Sequence, residues 1–316
     1  MPEKDISEKL LTSVDEIFAD IYNSLCFNGR KVLTPKVLSE APVTSAFIYA
    51  DKTKGLISDV SKYYKNANLT IAMLNIENQT KADKDMPLRI IGYEGAKYNY
   101  QLLQGSNQRH GIVTLVLNFD TNHRWNTPKT LKECINDYPK ELDILMNDFK
   151  INVIDVAFLS KEEIDKFSSD FKVLADYFYQ IRKNKVYEVP PDTDYLKYPA
   201  QLIETLSAIT GDRDFKNAYN EYVEKNKEGG PVKMTRIMDT YLPYIRAKAE
   251  AREEGIEEGK ALGLEEGKVK NLTQILKTLI SKNYTFDESC NLLDIDEETK
   301  EKLLNTGEFS LSSFKQ

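Results

Sequence analysis

Two strand-like segments joined by a short polar turn constrain the fold of this chain most strongly. Leu56–Tyr64 and Leu69–Thr80 flank the turn Lys65–Asn68, and both segments contain many β-branched and aromatic residues. This composition predicts an antiparallel hairpin. A hairpin brings side chains that are distant in sequence close together in space, so the acids within it are the first candidates for a functional site.

The register of this hairpin decides which acids meet. A turn centred near Asn68 places Asp59 across from Glu77, whereas a turn centred one or two residues earlier moves that partner toward Asn75. Because side chains alternate between the two faces of a strand, Asn75, Glu77 and Gln79 share one face. The sequence therefore predicts a cluster of acids and amides on one side of the hairpin.

Such a cluster is suited to a hard divalent cation. Mg²⁺ takes carboxylate, carbonyl and water oxygens and keeps several waters, so two carboxylates suffice to hold it. Asp59 and Glu77 are the predicted carboxylate ligands, the backbone carbonyl of Asn78 is a further ligand, and Gln79 is placed to orient water or a phosphate oxygen. The alternative interpretation is that Asp59 caps a strand end and that residues 77–80 form a polar strand terminus.

The remaining elements follow from periodicity and turn signals. Apolar spacing of three and four residues predicts a helix over Lys9–Leu25, ended by Gly29. Pro35–Pro42 is predicted to be a connection and Asp51–Gly55 a turn. Further helices are predicted at Pro87–Gln104, at Thr127–Asp148, from the capping box at Ser160 toward Lys183, and between Tyr198 and Lys248, and further strands at Ala46–Ala50, Gly111–Asn118 and Lys150–Leu159.

The resulting order is helix, three strands, helix, strand. It predicts an α/β fold, with a small mixed sheet flanked by helices and a helical C-terminal region. The predicted domains are 1–185 for the sheet-containing part, 186–247 for a helical extension and 248–316 for a Gly/Glu-rich helix with a C-terminal helical hairpin.

Four glycines in the tail recur at every fourth position, at Gly255, Gly259, Gly263 and Gly267. Each weakens a helix by roughly 1 kcal/mol relative to alanine. A helix that faces only solvent gains nothing from them, whereas two helices in close contact can pack along a stripe of small residues. This pattern favours a homo-oligomer, and the alternative is a helical linker grown by expansion of a short repeat. The segments that follow predict a packed helical hairpin rather than a DNA-binding helix-turn-helix, because the second helix is acidic.

Composition excludes several classes of protein. The three cysteines are widely spaced and the two histidines are too few for a zinc site, so a reduced cytoplasmic protein with an oxygen-bound cation is expected. The apolar runs are shorter than a membrane span, and the charged N-terminus is unlike a secretion signal. The net charge of −7 argues against nucleic acid, but basic residues surround the hairpin site and favour local attraction of an anionic polymer: Lys52, Lys54, Lys62, Lys65, Arg89, Lys97 and Arg109.

The segment from Asn75 to Tyr98, with Ile76-Glu77-Asn78-Gln79-Thr80 and Arg89 at its centre, resembles the central motif of the Rpn family of bacterial recombination-promoting nucleases, whose members are also named as transposases. Shorter stretches around Asp20, Asp148 and Asp170 resemble the same family. The resemblance implies the restriction-endonuclease-like core of the PD-(D/E)XK nuclease superfamily, with the order of elements predicted above.

The resemblance also implies roles for individual residues. Asp59 stands at the first strand carboxylate, Glu77 at the second, and Gln79 where most members of the superfamily carry lysine. Asp20 matches an acid on the first helix, with Asp15 as the alternative. Arg89 and Gln101, on the helix that flanks such sites, are candidates for contacts with substrate phosphate, and salt bridging is the competing role.

The implied activity is that of a DNA endonuclease of low sequence specificity, dependent on Mg²⁺, Mn²⁺ or Ca²⁺ and linked to recombination or mobile elements. Glutamine in place of lysine donates only a neutral hydrogen bond, which predicts a low rate or a substitute cation such as Arg89. The competing hypothesis is a catalytically weakened relative that acts as a binding or regulatory partner through its helical C-terminal part. A transposase in the strict sense is not favoured, because the sequence shows no second acidic set.

Overall fold

The computed structural model of the chain describes residues 11–42, 44–49, 52–57, 59–67, 69–105, 109–191, 193, 195–226 and 231–305, with the backbone alone at 44–49 and 52–57. By its internal contacts the chain divides into two compact units, Met1–Leu242 and Pro243–Gln316. The domains 1–185, 186–247 and 248–316 stay a prediction.

Strands and helices both contribute to the first unit. The strands are β1 (Leu38–Glu40), β2 (Thr44–Tyr49), β3 (Lys52–Ile57), β4 (Val60–Asn66), β5 (Leu69–Gln79), β6 (Gly111–Asn118), β7 (Asn152–Asp155), β8 (Tyr195–Leu196) and β9 (Val232–Lys233). The helices, including those of the second unit, are α1 (Asp15–Leu25), α2 (Met86–Leu103), α3 (Lys161–Ile164), α4 (Phe171–Asn184), α5 (Pro199–Thr210), α6 (Asp214–Lys225), α7 (Met234–Ile280), α8 (Phe286–Leu292) and α9 (Glu297–Asn305).

A five-stranded mixed sheet forms the centre of the first unit. Its spatial order is β1-β4-β5-β6-β7, with β1, β4 and β5 antiparallel and β5, β6 and β7 parallel. The predicted strand Gly111–Asn118 is confirmed as β6, which is buried along most of its length. The α/β class, the small mixed sheet with flanking helices and the helical C-terminal region are therefore confirmed.

Helices cover the two faces of this sheet. On one face, Thr12, just before α1, accepts a hydrogen bond from Nδ2 of Asn78 (3.3 Å). On the other face, Nζ of Lys97 on α2 donates to Oδ1 of Asn75. Alternation along β5 therefore directs Asn75, Glu77 and Gln79 toward α2. Helix α2 is anchored there by an apolar cluster: Met86, Ile90, Tyr93, Val116, Trp125 and Ile151.

The segment before the central hairpin contains more strand than predicted. Of the predicted strand Ala46–Ala50, residues 46–49 lie in β2, but residues 52–55 of the predicted turn Asp51–Gly55 are strand, because β3 pairs with β2. Ala50 and Asp51 lie outside the described residues. The predicted connection Pro35–Pro42 contains β1, which pairs with β4 at the sheet edge. The predicted strand Leu56–Tyr64 is divided, since β3 ends at Ile57 and β4 begins at Val60.

The predicted helix Thr127–Asp148 is wrong. This segment forms two short 3₁₀ turns, Lys132–Cys134 and Lys140–Leu142, within irregular structure. Its apolar residues do not form a buried face, since the side chain of Ile144 is 89% exposed. Pro139 disfavours helical backbone at the residue before it and supplies no N–H, so the periodic pattern is not realised as a helix.

The capping box at Ser160 is confirmed, but the helix that it begins is short. Ser160 Oγ accepts from the backbone N–H of Glu163 (3.2 Å), and the Glu163 carboxylate accepts from that of Ser160 (2.7 Å). Helix α3 ends at Ile164 and α4 begins only at Phe171. The backbone N–H groups of Ser168 and Ser169 between them donate to Asp20 on α1, which interrupts the predicted continuous helix. The strand predicted at Lys150–Leu159 is also shorter than expected, since only Asn152–Asp155 form β7.

Helices α5 and α6 are separated at Gly211, whose φ of +74° is the left-handed conformation that glycine adopts readily.

In the second unit, α8 and α9 enclose a small core of Leu276, Cys290 and Leu303. A Cβ added at Gly255, Gly259, Gly263 or Gly267 would meet nothing within 4 Å. Among the helices that the structure describes, none combines the length and the apolar character that crossing a lipid bilayer requires.

Candidate metal site at the central hairpin

The hairpin β4–β5 places Asp59 across from Glu77. Val60 pairs with Ile76 at the open end of the hairpin, so the preceding residue, Asp59, faces Glu77. At the tip Lys65 pairs with Thr70, which would give a register one residue different, but a bulge between Tyr64 and Lys65 restores the pairing. Without the bulge Asp59 would face a residue on the other side of the sheet.

The two carboxylates are held together by the backbone of the opposite strand. The N–H of Asp59 donates to Oε1 of Glu77 (3.2 Å), and the N–H of Asn78 donates to Oδ2 of Asp59 (2.8 Å). Glu77 is fully buried and Asp59 is half-buried. These crossed bonds fix both side chains at the end of the sheet where β5 and β6 finish.

One oxygen of Glu77 lacks a partner. Its Oε2 is buried, and within the described part of the chain it accepts no hydrogen bond. An unpaired carboxylate oxygen in the interior is costly, because the charge loses its hydration without gaining a donor. A cation is the kind of partner that this oxygen and the adjacent Asp59 are placed to bind.

Burial is the main reason why Glu77 titrates abnormally. Together, burial and the negative charge of Asp59 raise the pKa of Glu77 to about 8, against smaller opposing effects from a backbone hydrogen bond, Arg89 and Lys97. A bound divalent ion would favour the ionised form of both acids. The electrostatics of the pair therefore fit a cation.

Helix α2 contributes two positive charges beside the pair. Arg89 forms a salt bridge with Asp83 (2.8 Å) and donates to the Tyr93 hydroxyl (3.1 Å), while its charge acts on Glu77. Lys97 is buried, and its Nζ donates to Ser61 Oγ (2.9 Å) and to Asn75. Burial lowers the pKa of Lys97 to about 8, although Glu77 and Glu94 raise it. The salt bridge that was the competing interpretation of Arg89 is therefore present, and Lys97 contacts side chains of both β4 and β5.

The amides of the hairpin have different surroundings. Gln79 is half-buried at the end of β5, on the face of Glu77, next to Asn118 of β6. The Asn78 side chain points to the opposite face, so only its backbone is near the acidic pair. Gln79 is thus placed beside Glu77 as the alternation predicts, and Asn78 lies near the pair through its backbone.

Asp20 and Gln101 are not brought to the pair. Both carboxylate oxygens of Asp20 are occupied by the backbone and hydroxyl groups of Ser168 and Ser169, at 2.7–2.9 Å. Both ends of the Gln101 amide bind the backbone of His110. Gln101 lies twelve residues beyond Arg89 on α2, roughly 18 Å along the helix. Asp15, the alternative acid on α1, binds Lys62 (2.6 Å).

The basic rim expected around the hairpin is only partly present. Lys62 and Lys97 are buried within the fold rather than displayed on the surface, and Lys62 is neutralised by Asp15 and Glu40. The side chains of Lys52 and Lys54 lie outside the described residues. Attraction of an anion near the pair therefore depends on other cations.

The sequence interpretation missed two polar residues beside Gln79. Asn118 ends β6 and Asp155 ends β7, and the register places Gln79, Asn118 and Asp155 side by side across the sheet. Nδ2 of Asn118 donates to Oδ1 of Asp155 (2.8 Å). A polar residue at the end of each of two buried parallel strands was the available signal, because the carboxyl ends of parallel strands are a common place for sites.

The donor set suits Mg²⁺, Mn²⁺ or Ca²⁺ rather than zinc. Two carboxylates and a backbone carbonyl are hard oxygen ligands, and an ion that retains water needs no more from the protein. The described residues contain no cluster of three or more His, Cys, Asp or Glu side chains arranged for a metal. Asp59, Glu77 and the carbonyl of Asn78 are the groups that would hold such an ion.

The comparisons with known proteins identify a family for the sheet-containing part of the chain. Residues 46–202, which include the hairpin, α2 and the ends of β6 and β7, match the model of the family described as "Putative transposase, YhgA-like". No curated protein and no solved structure matches the chain significantly. The family resemblance recognised in the sequence is confirmed over residues 46–202, the part of the chain that is similar to the YhgA-like putative transposases.

Proposed function

We propose that this protein is a divalent-metal-dependent DNA endonuclease of low sequence specificity, with a restriction-endonuclease-like core. The observation that carries the proposal is the buried Oε2 of Glu77, which has no hydrogen-bond partner in the described structure and lies beside Asp59. The match of residues 46–202 to a family of putative transposases supports a link to mobile elements and recombination.

The residues of the site have complementary roles. Asp59, Glu77 and the Asn78 carbonyl would hold Mg²⁺, Mn²⁺ or Ca²⁺, and when bound such an ion would supply the Lewis-acid charge that phosphodiester hydrolysis requires. Gln79 donates a hydrogen bond to a phosphate oxygen from the same face. Lys97 and Arg89 supply positive potential in a poorly solvated region, where fixed charges act strongly.

Cleavage of supercoiled plasmid tests this function. The full-length protein is incubated with plasmid and Mg²⁺, Mn²⁺ or Ca²⁺, and with EDTA as the metal-free control. We expect nicking with at least one of these ions and a rate lower by about 100-fold or more in Asp59→Asn and in Glu77→Gln, since each removes charge that the site holds in place. Asp287→Asn, an exposed acid of the second unit, is the matched control. Nicking that is unchanged in both site variants contradicts the proposal.

The alternative function is a catalytically weakened relative that binds or regulates a partner. It is favoured by Gln79, which stands where most nucleases of this superfamily carry lysine and which cannot supply a positive charge. Protein that binds a divalent ion at the hairpin but leaves plasmid intact under all three metals supports this alternative.

We also propose that the chain forms a homo-oligomer through the glycine-containing part of α7, where a Cβ at each glycine meets no atom of the described residues within 4 Å.

A further inference from the structure

Two arginines from different elements lie over the same aromatic ring. The guanidinium carbon of Arg124, in the segment after β6, is 4.8 Å from the centre of the Phe158 ring, and that of Arg182, on α4, is 4.7 Å from it. Tyr179 lies 5.6 Å from Arg182 and 5.5 Å from Nζ of Lys183. These residues, Arg124, Phe158, Tyr179, Arg182 and Lys183, are called the Phe158 patch below.

The Phe158 patch lies near the end of the sheet that carries the acidic pair. Asn118 pairs with Gln79, and Asp155 pairs with Asn118, so Asp155 is two strands away from β5, about 10 Å across the sheet. Nη1 of Arg124 is 3.9 Å from Oδ2 of Asp155. A nucleic-acid strand advances about 3.4 Å per nucleotide, so this separation corresponds to about three nucleotides.

The donors of this patch are available to a ligand. The side chain of Arg124 is 65% exposed, and its contact with Asp155 is at the limit of an ion pair. Oδ1 of Asp155 is already used by Asn118 and by the backbone of Trp125. Arg182 donates from Nε to the carbonyl of Ala157 (2.7 Å), and its Nη groups have no protein acceptor in the described part of the chain.

Structural roles do not account for the whole patch. Arg182 and Lys183 lie in the last turn of α4, where cations interact favourably with the helix dipole. Arg124 belongs to a loop from another part of the sequence and gains nothing from that dipole. Stacking on Phe158 restricts both guanidinium groups, which lowers the entropy that they lose on binding, and planar guanidinium groups match phosphate geometry.

We propose that the Phe158 patch binds phosphates of the substrate strand about three nucleotides away from the phosphodiester that lies at Asp59 and Glu77. The inference rests on the proposed function and adds to it a substrate contact. Arg124 and Arg182 are the principal donors, and Tyr179 and Phe158 hold them in place. Binding of this kind depends on salt and is independent of base sequence.

Binding without cleavage tests the inference. Full-length protein carrying Asp59→Asn is titrated in EDTA against short labelled duplexes of two unrelated sequences, and affinity is followed by fluorescence anisotropy from about 50 to about 200 mM salt. Arg124→Gln is the main variant, because among the described residues its guanidinium has an ion pair only with Asp155 and a ring contact only with Phe158. We expect about a 10-fold loss for both sequences and a salt slope lower by about one, with a similar further change on adding Arg182→Gln.

Arg30→Gln is the matched control, an exposed arginine after α1, the helix on the other face of the sheet, and it leaves both quantities unchanged. An unchanged salt slope in the double arginine variant overturns the inference, as does a parent protein that binds neither duplex. If the arginine variants lose affinity as expected while the unmutated protein cleaves nothing, the result supports the Phe158 patch and rejects the nuclease. Cleavage with an unchanged slope rejects only the Phe158 patch.

Discussion

At the scale of single residues, Glu77 combines burial, a neighbouring acid and an oxygen that accepts no hydrogen bond from the described residues. Hydrogen bonds from the opposite strand hold Glu77 and Asp59 in contact although like charges repel. Such an arrangement lowers stability in the metal-free protein, and it is retained at sites because a ligand relieves it. The sequence showed that the two acids belong to one hairpin, but it did not show that Glu77 is the buried member.

Glu77 makes the stability of the metal-free protein dependent on pH. Its pKa is raised to about 8 in the folded state, so its contribution is fully present below the unfolded pKa and is lost as pH rises toward 8. Relative to Glu77→Gln, we expect the free energy of unfolding of the unmutated protein to fall by roughly 3 kcal/mol between about pH 5 and about pH 8. Urea denaturation in EDTA measures both proteins, and parallel pH profiles contradict the expectation.

Asp20 illustrates how a residue with a suggested catalytic role can have a structural one. Asp20→Ala removes the acceptor for the backbone and hydroxyl groups of Ser168 and Ser169, so we expect a loss of about 3 kcal/mol in the free energy of unfolding. Metal affinity at the hairpin should be unchanged. Asp165→Asn, an exposed acid of the same region, serves as control. A loss of metal binding without loss of stability would restore the catalytic role.

At the scale of elements, the sequence was most informative where local signals agree with tertiary packing. The β4–β5 hairpin, α2 and β6 follow from periodicity and composition, but the turn alone does not give the pairing of Asp59 with Glu77, which also requires the bulge. The bulge between Tyr64 and Lys65 was not predictable, because nothing in Tyr-Tyr-Lys distinguishes it from a regular strand. The segment 127–148 failed for the opposite reason: its helical period is present, but no partner face covers it.

The tip of the hairpin contains local strain that can be relieved. Ala67 has φ +51°, a left-handed conformation that costs an alanine roughly 1 kcal/mol and a glycine very little. Ala67→Gly is expected to raise the free energy of unfolding by about 0.5 kcal/mol and to leave metal binding intact. The matched control is Ala72→Gly, in the extended backbone of β5, which should lower stability by a similar amount. Thermal unfolding measures both, and destabilisation by Ala67→Gly would contradict this view of the turn.

At the scale of the whole molecule, the two units differ in secondary structure and in the size of the core. The first unit contains the sheet and the acidic pair, while the second is built from helices around a small apolar core. The glycines of α7 weaken that helix, and a Cβ built at any of the four meets no atom of the described residues within 4 Å. The period of four was visible in the sequence, but whether a second chain covers these positions is not encoded in one chain's local pattern.

Substitution of two glycines separates self-association from helix stability. Gly259→Ala with Gly263→Ala should raise helix stability by about 1 kcal/mol per site, because alanine is the better helix former. The same change adds methyl groups where a second helix would approach. We therefore expect the oligomer of the variant to dissociate at a higher protein concentration than that of the unmutated protein. Light scattering gives the mass and circular dichroism the helix melting. The proposed oligomer is contradicted if the unmutated protein is a monomer, or if the variant has the same mass as the unmutated protein.

The central claim is that Asp59 and Glu77 together hold one divalent ion. Calorimetric titration of Mn²⁺ into the full-length protein tests it directly, with Asp59→Asn and Glu77→Gln as variants and Asp287→Asn as control. The account predicts one ion per chain in the unmutated protein and the control, and an affinity lower by more than about 10-fold in each site variant. Equal stoichiometry and affinity in all four proteins, or no binding in the unmutated one, would contradict it.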